Sequence, residues 1–244
     1  MNILEHCLIP DWPVPGNVRS LQTTRNGGQS VAPYDTFNLG EHVGDVRQTV
    51  ARNRQRLAQY LPTEPVWLKQ VHGIEVANAD RADCVPQADA AIARQRGAVC
   101  VVMTADCLPV LLCDEAGTVV AAAHAGWKGL AAGVIEATVQ EMGIAPQKLL
   151  AWLGPAISQR EFEVGEEVRD VFRAHHAQAG EAFLPGVTGK WMADIYLLAH
   201  QRLHALGISR VYGGEHCTFG DSTRFFSYRR DGITGRMGTF IWLE

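Results

Sequence analysis

The chain has 244 residues, 47% hydrophobic and 20% charged, which is ordinary globular composition and long enough to bury a core without metal or disulfide staples. Its 22 basic and 26 acidic residues give a formal net charge of -4, so bulk electrostatics offers no reason to expect a nucleic-acid or membrane partner. Six cysteines, none in a Cys-x-x-Cys pair, point to reduced thiols in a cytoplasmic protein; the N-terminus lacks a secretory signal pattern, and no stretch is long and apolar enough to span a bilayer.

In chain order, the proline-rich start gives an irregular entry, and Val18–Thr24 reads as a strand. Arg25-Asn26-Gly27-Gly28 then supplies a turn with two residues free to take positive φ. The segment Pro33–Gly44 reads as an ordered loop. Asp45 is placed to cap a helix from Val46 to Tyr60, with Gln48 completing a capping box, and the helix arginines suggest a solvated face. Val66–Val71 reads as a strand ending at His72-Gly73, with Ile74–Ala77 as its returning partner and Asp80–Gln87 as a loop. Ala98–Met103 is a short apolar run with β-branched residues, expected as a buried strand.

Two further apolar runs, Leu108–Cys113 and Thr118–Ala123, flank Asp114-Glu115-Ala116-Gly117, a hairpin signal. If Asp114 closes directly on Gly117, Cys107 falls opposite His124, close enough to share a metal ion or to pair as nucleophile and base. The plainer reading makes Cys107 a small buried residue and His124 a strand end. After the hairpin, Gly129–Met142 has helical spacing and is closed by Gly143. Leu149–Leu153 reads as a strand, Glu161–His175 and Asp194–Leu206 as helices, and Val211–Gly214 and Thr239–Leu243 as late strands. The irregular alternation favours α+β over a doubly wound parallel sheet, and no linker divides residues 1–244 into more than one domain.

His72, before a glycine at a strand end, joins Cys107 and His124 as a third candidate donor, and a His2Cys set leaves one position open as in catalytic zinc sites. The spacing alone is not diagnostic. His200 and His204 stand four apart on a helix but lack the glutamate of a His-Glu-x-x-His motif, and a partly exposed helix face explains them. Gly126-Trp127-Lys128-Gly129 precedes a helix and either receives a phosphate or makes a tight turn. Arg229, with Arg230 and Arg236, and more faintly Arg25, suit a phosphate or carboxylate; exposed turns are the plainer account.

Taken together, Phe37-Asn38-Leu39-Gly40 with Val43-Gly44-Asp45 and Asn53-Arg54, Gln70-Val71-His72-Gly73, Thr104-Ala105-Asp106-Cys107-Leu108-Pro109, Ala123-His124-Ala125-Gly126-Trp127-Lys128-Gly129, Phe162-Glu163-Val164-Gly165, Cys217-Thr218 and Ser227-Tyr228-Arg229-Arg230-Asp231-Gly232 resemble the YfiH family, also labelled multicopper polyphenol oxidase or laccase-domain proteins. Two departures, Ala156 and Phe162, stand where the family often has Cys and Tyr. The resemblance implies an α+β fold of stacked mixed sheets with flanking helices, shared with a group once described as putative cysteine hydrolases. It implies a zinc site at His72, Cys107 and His124, phosphorolysis of adenosine, inosine or methylthioadenosine, an adenosine deaminase side activity and a link to peptidoglycan editing.

On this reading Asp106 or a water handles protons, and Lys128, Arg229 and Arg25 hold phosphate. The partners are purine nucleosides and phosphate, with neither nucleic acid nor membrane. Two other classes stay open: a copper-dependent phenol oxidase, and a metal-free hydrolase with Cys107 as nucleophile and His124 as base. Trp127, beside His124, is expected either to line the site or to pack in the core.

Overall fold

The structure, a computed structural model, describes residues 2–81 and 84–244. Ala82 and Asp83 of the expected polar loop lie outside the described residues. The first half of the chain runs β1 (Val18–Gln22), α1 (Arg47–Ala58), β2 (Val76–Asn78), β3 (Ala90–Ala93), β4 (Val99–Thr104), β5 (Leu108–Asp114) and β6 (Val120–Ala125). Two helices follow, α2 (Trp127–Ala132) and α3 (Val134–Met142), then β7 (Leu149–Leu153), β8 (Glu163–Gly165) and α4 (Glu166–His175). The remainder is β9 (Phe183–Pro185), β10 (Lys190–Ala193), α5 (Ile195–Leu206), β11 (Arg210–Gly213), α6 (Tyr228–Asp231) and β12 (Met237–Leu243). No helix among the described residues is long and apolar enough to cross a membrane.

The central sheet has six strands in the order β11-β7-β5-β6-β3-β2, mixed in direction because β11–β7 and β2–β3 are parallel while the inner pairs are antiparallel. A second sheet, β1-β12-β4, is wholly antiparallel and lies against the first. The alternation of side chains along each strand explains the layering. Val110, Leu112, Ala121 and Ala123 face one way, into a core shared with Leu130, Ile135, Leu198 and Leu203 of the helices. Leu111, Cys113, Val120 and Ala122 face the other way, into a core shared with Cys100, Val102 and Ile241 of the smaller sheet. The outer face of the smaller sheet packs with Leu57 of α1 and with Phe37 and Leu39. β5 and β6 are therefore buried on both faces, which is why they read as unbroken apolar runs. The expected α+β class with stacked mixed sheets and flanking helices holds.

Several local expectations change. The hairpin turn runs from Asp114 to Val119, because the Asp114 carboxylate accepts from Thr118 N and Oγ1 and from Val119 N. That lengthens the loop and shifts the register by two residues, so Pro109, not Cys107, stands opposite His124. An even shift keeps the same sheet face. Asp45 does not cap α1 through its side chain; its oxygens accept from Val46 N, Ser30 Oγ and Asn38 Nδ2, fixing the preceding loop. Arg54 leaves the solvated face: it donates to Leu39 O and stacks 3.8 Å over Trp67. Val66–Val71 is not a strand. It joins β4 through a single bridge, Val66 to Cys100, and through Gln70, whose amide exchanges two 2.8 Å hydrogen bonds with Met103. Ile74–Ala77 is not its partner, since β2 pairs with β3. The helix expected over Gly129–Met142 is split at Gly133, whose φ of 103 ends α2 and opens α3. Glu163–Gly165 pairs with β10, so α4 starts at Glu166.

Candidate active site

Three chain segments meet at the edge of the sheet stack. Cys107 stands just before β5, after Asp106, which holds a positive φ of 90. Asp106 is fixed from three sides: its carbonyl accepts from Ile157 N, its Oδ1 from Thr218 Oγ1 at 2.6 Å and its Oδ2 from Arg229 N at 2.6 Å. Both carboxylate oxygens of the expected proton carrier are thus already hydrogen-bonded. His124 lies near the end of β6 and is buried. His72, at a φ of 61, sits on the loop that follows Gln70.

One buried carboxylate ties two of these segments together. Asp89 Oδ1 accepts from His124 Nδ1 at 2.8 Å and from His72 N at 2.9 Å, while Oδ2 accepts from Val71 N and Gly73 N. Its own carbonyl accepts from His124 N. Burial opposes the charge on Asp89, yet His124 and these N–H groups hold its carboxyl below the usual range. Because Nδ1 of His124 faces Asp89, Nε2 is directed elsewhere.

The result is a group of three donors, one each from His72, Cys107 and His124, all within 4.8 Å of one another, the one such group among the described residues. Cys107 Sγ lies 3.8 Å from His72 Nε2, and the two imidazole rings meet edge to face at 4.8 Å. Burial opposes ionisation of Cys107, but His124 and His72 outweigh it and bring the thiol down to about 6. Burial likewise disfavours the His124 imidazolium, while Cys107 and Asp89 raise it to about 9. One soft thiolate and two imidazoles fit zinc or copper, and three protein donors leave a position for another ligand.

Glycines make this approach feasible. A Cβ on Gly126 would lie 2.9 Å from Cys107 Sγ and from His72 Cδ2, and one on Gly129 would lie 3.0 Å from Gly73 O. The Gly126–Gly129 turn therefore serves close packing of the His72 loop.

The group opens onto a cavity of about 550 Å³, a size suited to a small organic ligand. His72, Cys107, Asp106, Trp127, Lys128 and Arg229 line it, and Trp127 also packs against the helical core. Arg25 does not line it: its guanidinium donates to Asp35 and Ser222 O, bracing the first glycine turn. Of these three arginines Arg229 lines the cavity, its guanidinium donating to Glu163 O, whereas Arg230 and Arg236 donate to backbone carbonyls away from it. Sequence reasoning missed Asp89, Lys190 and the acidic pair Glu163 and Glu167, which also line or organise the site. Asp89 carried no signal beyond a lone carboxylate before a run of small residues.

Residues 19–244 match the family described as multi-copper polyphenol oxidoreductase laccase. A Pseudomonas aeruginosa protein named as a purine nucleoside phosphorylase is 55% identical over 97% of this chain and 98% of its own length. The Escherichia coli protein named purine nucleoside phosphorylase YfiH is 52% identical over 97% of this chain and 98% of its own. Among solved structures, a Neisseria meningitidis protein superposes with a TM-score of 0.95 at 50% identity, covering 98% of this chain and 99% of that one. YlmD from Geobacillus stearothermophilus gives 0.88 at 31% identity, over 94% and 93% of the two chains. With nearly its whole length matched in sequence and in fold, the chain belongs to the laccase-like YfiH family.

Proposed function

We propose that the chain is a zinc-dependent purine nucleoside phosphorylase acting on adenosine, inosine and methylthioadenosine, with adenosine deamination as a side activity. The observation that carries the reading is that the His72–Cys107–His124 donor group opens, through His72 and Cys107, onto a cavity lined by basic and aromatic side chains. The names of the relatives support the same substrate class.

In phosphorolysis a phosphate oxygen forms a bond to ribose C1′, the C1′–N9 bond breaks, and its electron pair leaves with the purine, which takes a proton. Lys128, Lys190 and Arg229 supply positive charge for the phosphate, and Trp127, Phe162 and Tyr228 supply flat surfaces for the base. Asp106, held by Thr218 and Arg229, fixes the Cys107 corner and orients α6. His72, Cys107 and His124 would hold the zinc ion, which when bound supplies a Lewis acid to stabilise charge developing on an oxygen. The donor group is sized for one ion, which favours a single-metal enzyme over copper-cluster oxidase chemistry.

A second reading has a specific observation behind it. Asp89, His124 and Cys107 line up as carboxylate, imidazole and thiol, the order of a cysteine hydrolase triad. Anaerobic incubation with adenosine and inosine, with and without phosphate, separates the two. Phosphate-dependent release of free base is the expected result. Its absence from fully metal-loaded protein, with rapid stoichiometric alkylation of Cys107 regardless of chelator, would favour the hydrolase.

A further inference from the structure

Beside the active-site cavity lies a second, of about 590 Å³, with His175, His176, His200 and His204 in its wall. The two share no lining residue, so the choice of substrate rests with the first. There Glu163, Glu167 and Lys190 meet at the small sheet β8-β10-β9. Glu163 and Gly165 lie two apart on β8 and so share a face. Lys190 of β10 pairs directly with Gly165 and stands on that same face. Gly165 is also the N-cap of α4, and its φ of -83 is open to any residue, so backbone strain does not call for glycine here. The reason is space: a Cβ there would lie 2.5 Å from Cδ and Oε1 of Glu167, and closer still to Oε2. The Glu167 side chain therefore folds back from the first turn of α4 into the notch that Gly165 leaves. Neither its carboxylate nor that of Glu163 has a hydrogen-bond or ion-pair partner among the described residues.

We infer that Glu167, seated in the Gly165 notch, selects the sugar: its carboxylate accepts from the 2′- and 3′-hydroxyls of a ribonucleoside. The inference rests on the nucleoside reading above and names the residue that decides between ribose and deoxyribose. An ionised carboxylate only accepts, so it needs donors on the substrate. Adenosine, inosine and methylthioadenosine differ at the 6-position of the base and at the 5′-position of the sugar. The donors that all three share are the two hydroxyls of the cis-diol, and two carboxylate oxygens match them one to one. Lys190 stands on the same sheet face, which puts a cation for phosphate beside an acceptor for the sugar. A reaction that joins phosphate to ribose C1′ needs the two side by side.

The test compares adenosine with 3′-deoxyadenosine on zinc-loaded protein, as kcat/KM with phosphate present and as Kd by calorimetry without phosphate. The unsubstituted protein should favour adenosine by about 10–100-fold in both, the range for a hydrogen bond to a charged group. Glu167→Gln should collapse that preference, mainly by weakening adenosine. Gly165→Ala keeps the carboxylate but displaces it from the notch, and should narrow the preference in the same direction. Glu166→Gln removes the same charge from the same helical turn, at a side chain turned to Arg169 and Trp191, and should leave the preference as it was. Binding of neither nucleoside, equal binding of both, a preference that survives Glu167→Gln and Gly165→Ala, or an equal loss in Glu166→Gln would overturn the inference. Because Kd is read without turnover, protein that prefers adenosine through Glu167 yet releases no base would refute phosphorolysis and uphold the sugar contact.

Discussion

The two cavities are nearly equal in size, about 550 and 590 Å³, but they are built by opposite means: the first has His72 and Cys107 in its wall with His124 beside them, the second has four histidines around it. In the first, the donors come from three separate segments, and each is locked by backbone geometry: positive φ at His72 and at the neighbour of Cys107, and a strand beneath His124. Asp89 then joins two of them. In the second, His200 and His204 ride on one helix, α5, and helix spacing sets their separation. A site assembled from distant segments has had its ordering cost met during folding. A site on one helix keeps mobile side chains and must order them when a ligand arrives. The first arrangement suits catalysis, where position matters to fractions of an ångström.

The sharpest way to break the comparison is to remove a donor. Cys107→Ala should lose zinc and cut nucleoside turnover by more than about 100-fold, beyond the range usual for losing a supporting residue. Its circular dichroism should stay unchanged, because the cores on both faces of β5 do not include the thiol. His200→Ala is the matching control and should leave turnover intact.

Asp89→Asn probes the lock rather than the donor. An amide nitrogen cannot accept, so His124 Nδ1–H or the His72-loop N–H groups lose partners. Zinc affinity, measured by chelator competition, should fall about 10–100-fold. An unchanged affinity would mean that the strand and loop hold the donors without it.

Gly126→Ala tests the space itself. Its Cβ would press on Sγ and on the His72 ring at 2.9 Å, so zinc affinity should drop, whereas Gly16→Ala, with open space around it, should change nothing. The smallest effect is in pH dependence. In metal-free protein the Cys107 thiolate should form as pH rises through about 6, so its alkylation rate should level off above that point. An ordinary thiol would keep accelerating towards 9.0. An inflection near 9 would show that the imidazoles do not stabilise the thiolate.

These locks also explain what could be read in the sequence. β5, β6, β7 and β12 were legible because both of their faces are buried and polar turns bound them. β3 was not, since Ala90, Ala91 and Ala93 carry little strand signal. The pairing of Cys107 with His124 came out on the correct face but two residues off in register, because a side chain, Asp114, closes the turn. Asp89 was invisible for a different reason: its partners are mostly main-chain N–H groups, which every residue type presents. Arg25 misled because an arginine beside glycines looks the same whether it braces a loop or awaits an anion.

The place of β12 has a consequence for how the chain matures. It is the middle strand of the smaller sheet, and among the described strands it is the one that β1 and β4 both pair with, their other pairings being the single bridges Leu8 to Gln22 and Val66 to Cys100. Translation delivers it after every other strand, so β1 waits with an open edge while more than two hundred residues are added. The six-stranded sheet needs nothing beyond β11 and can form while the ribosome is still engaged. Until then the nascent chain is half roofed, with the inner face of the larger sheet exposed to solvent and chaperones. Ribosome-bound chains stalled before Met237 should show slow amide exchange in β5 and β6 but fast exchange in β1 and β4; equal protection of all four would mean the smaller sheet has another way to close.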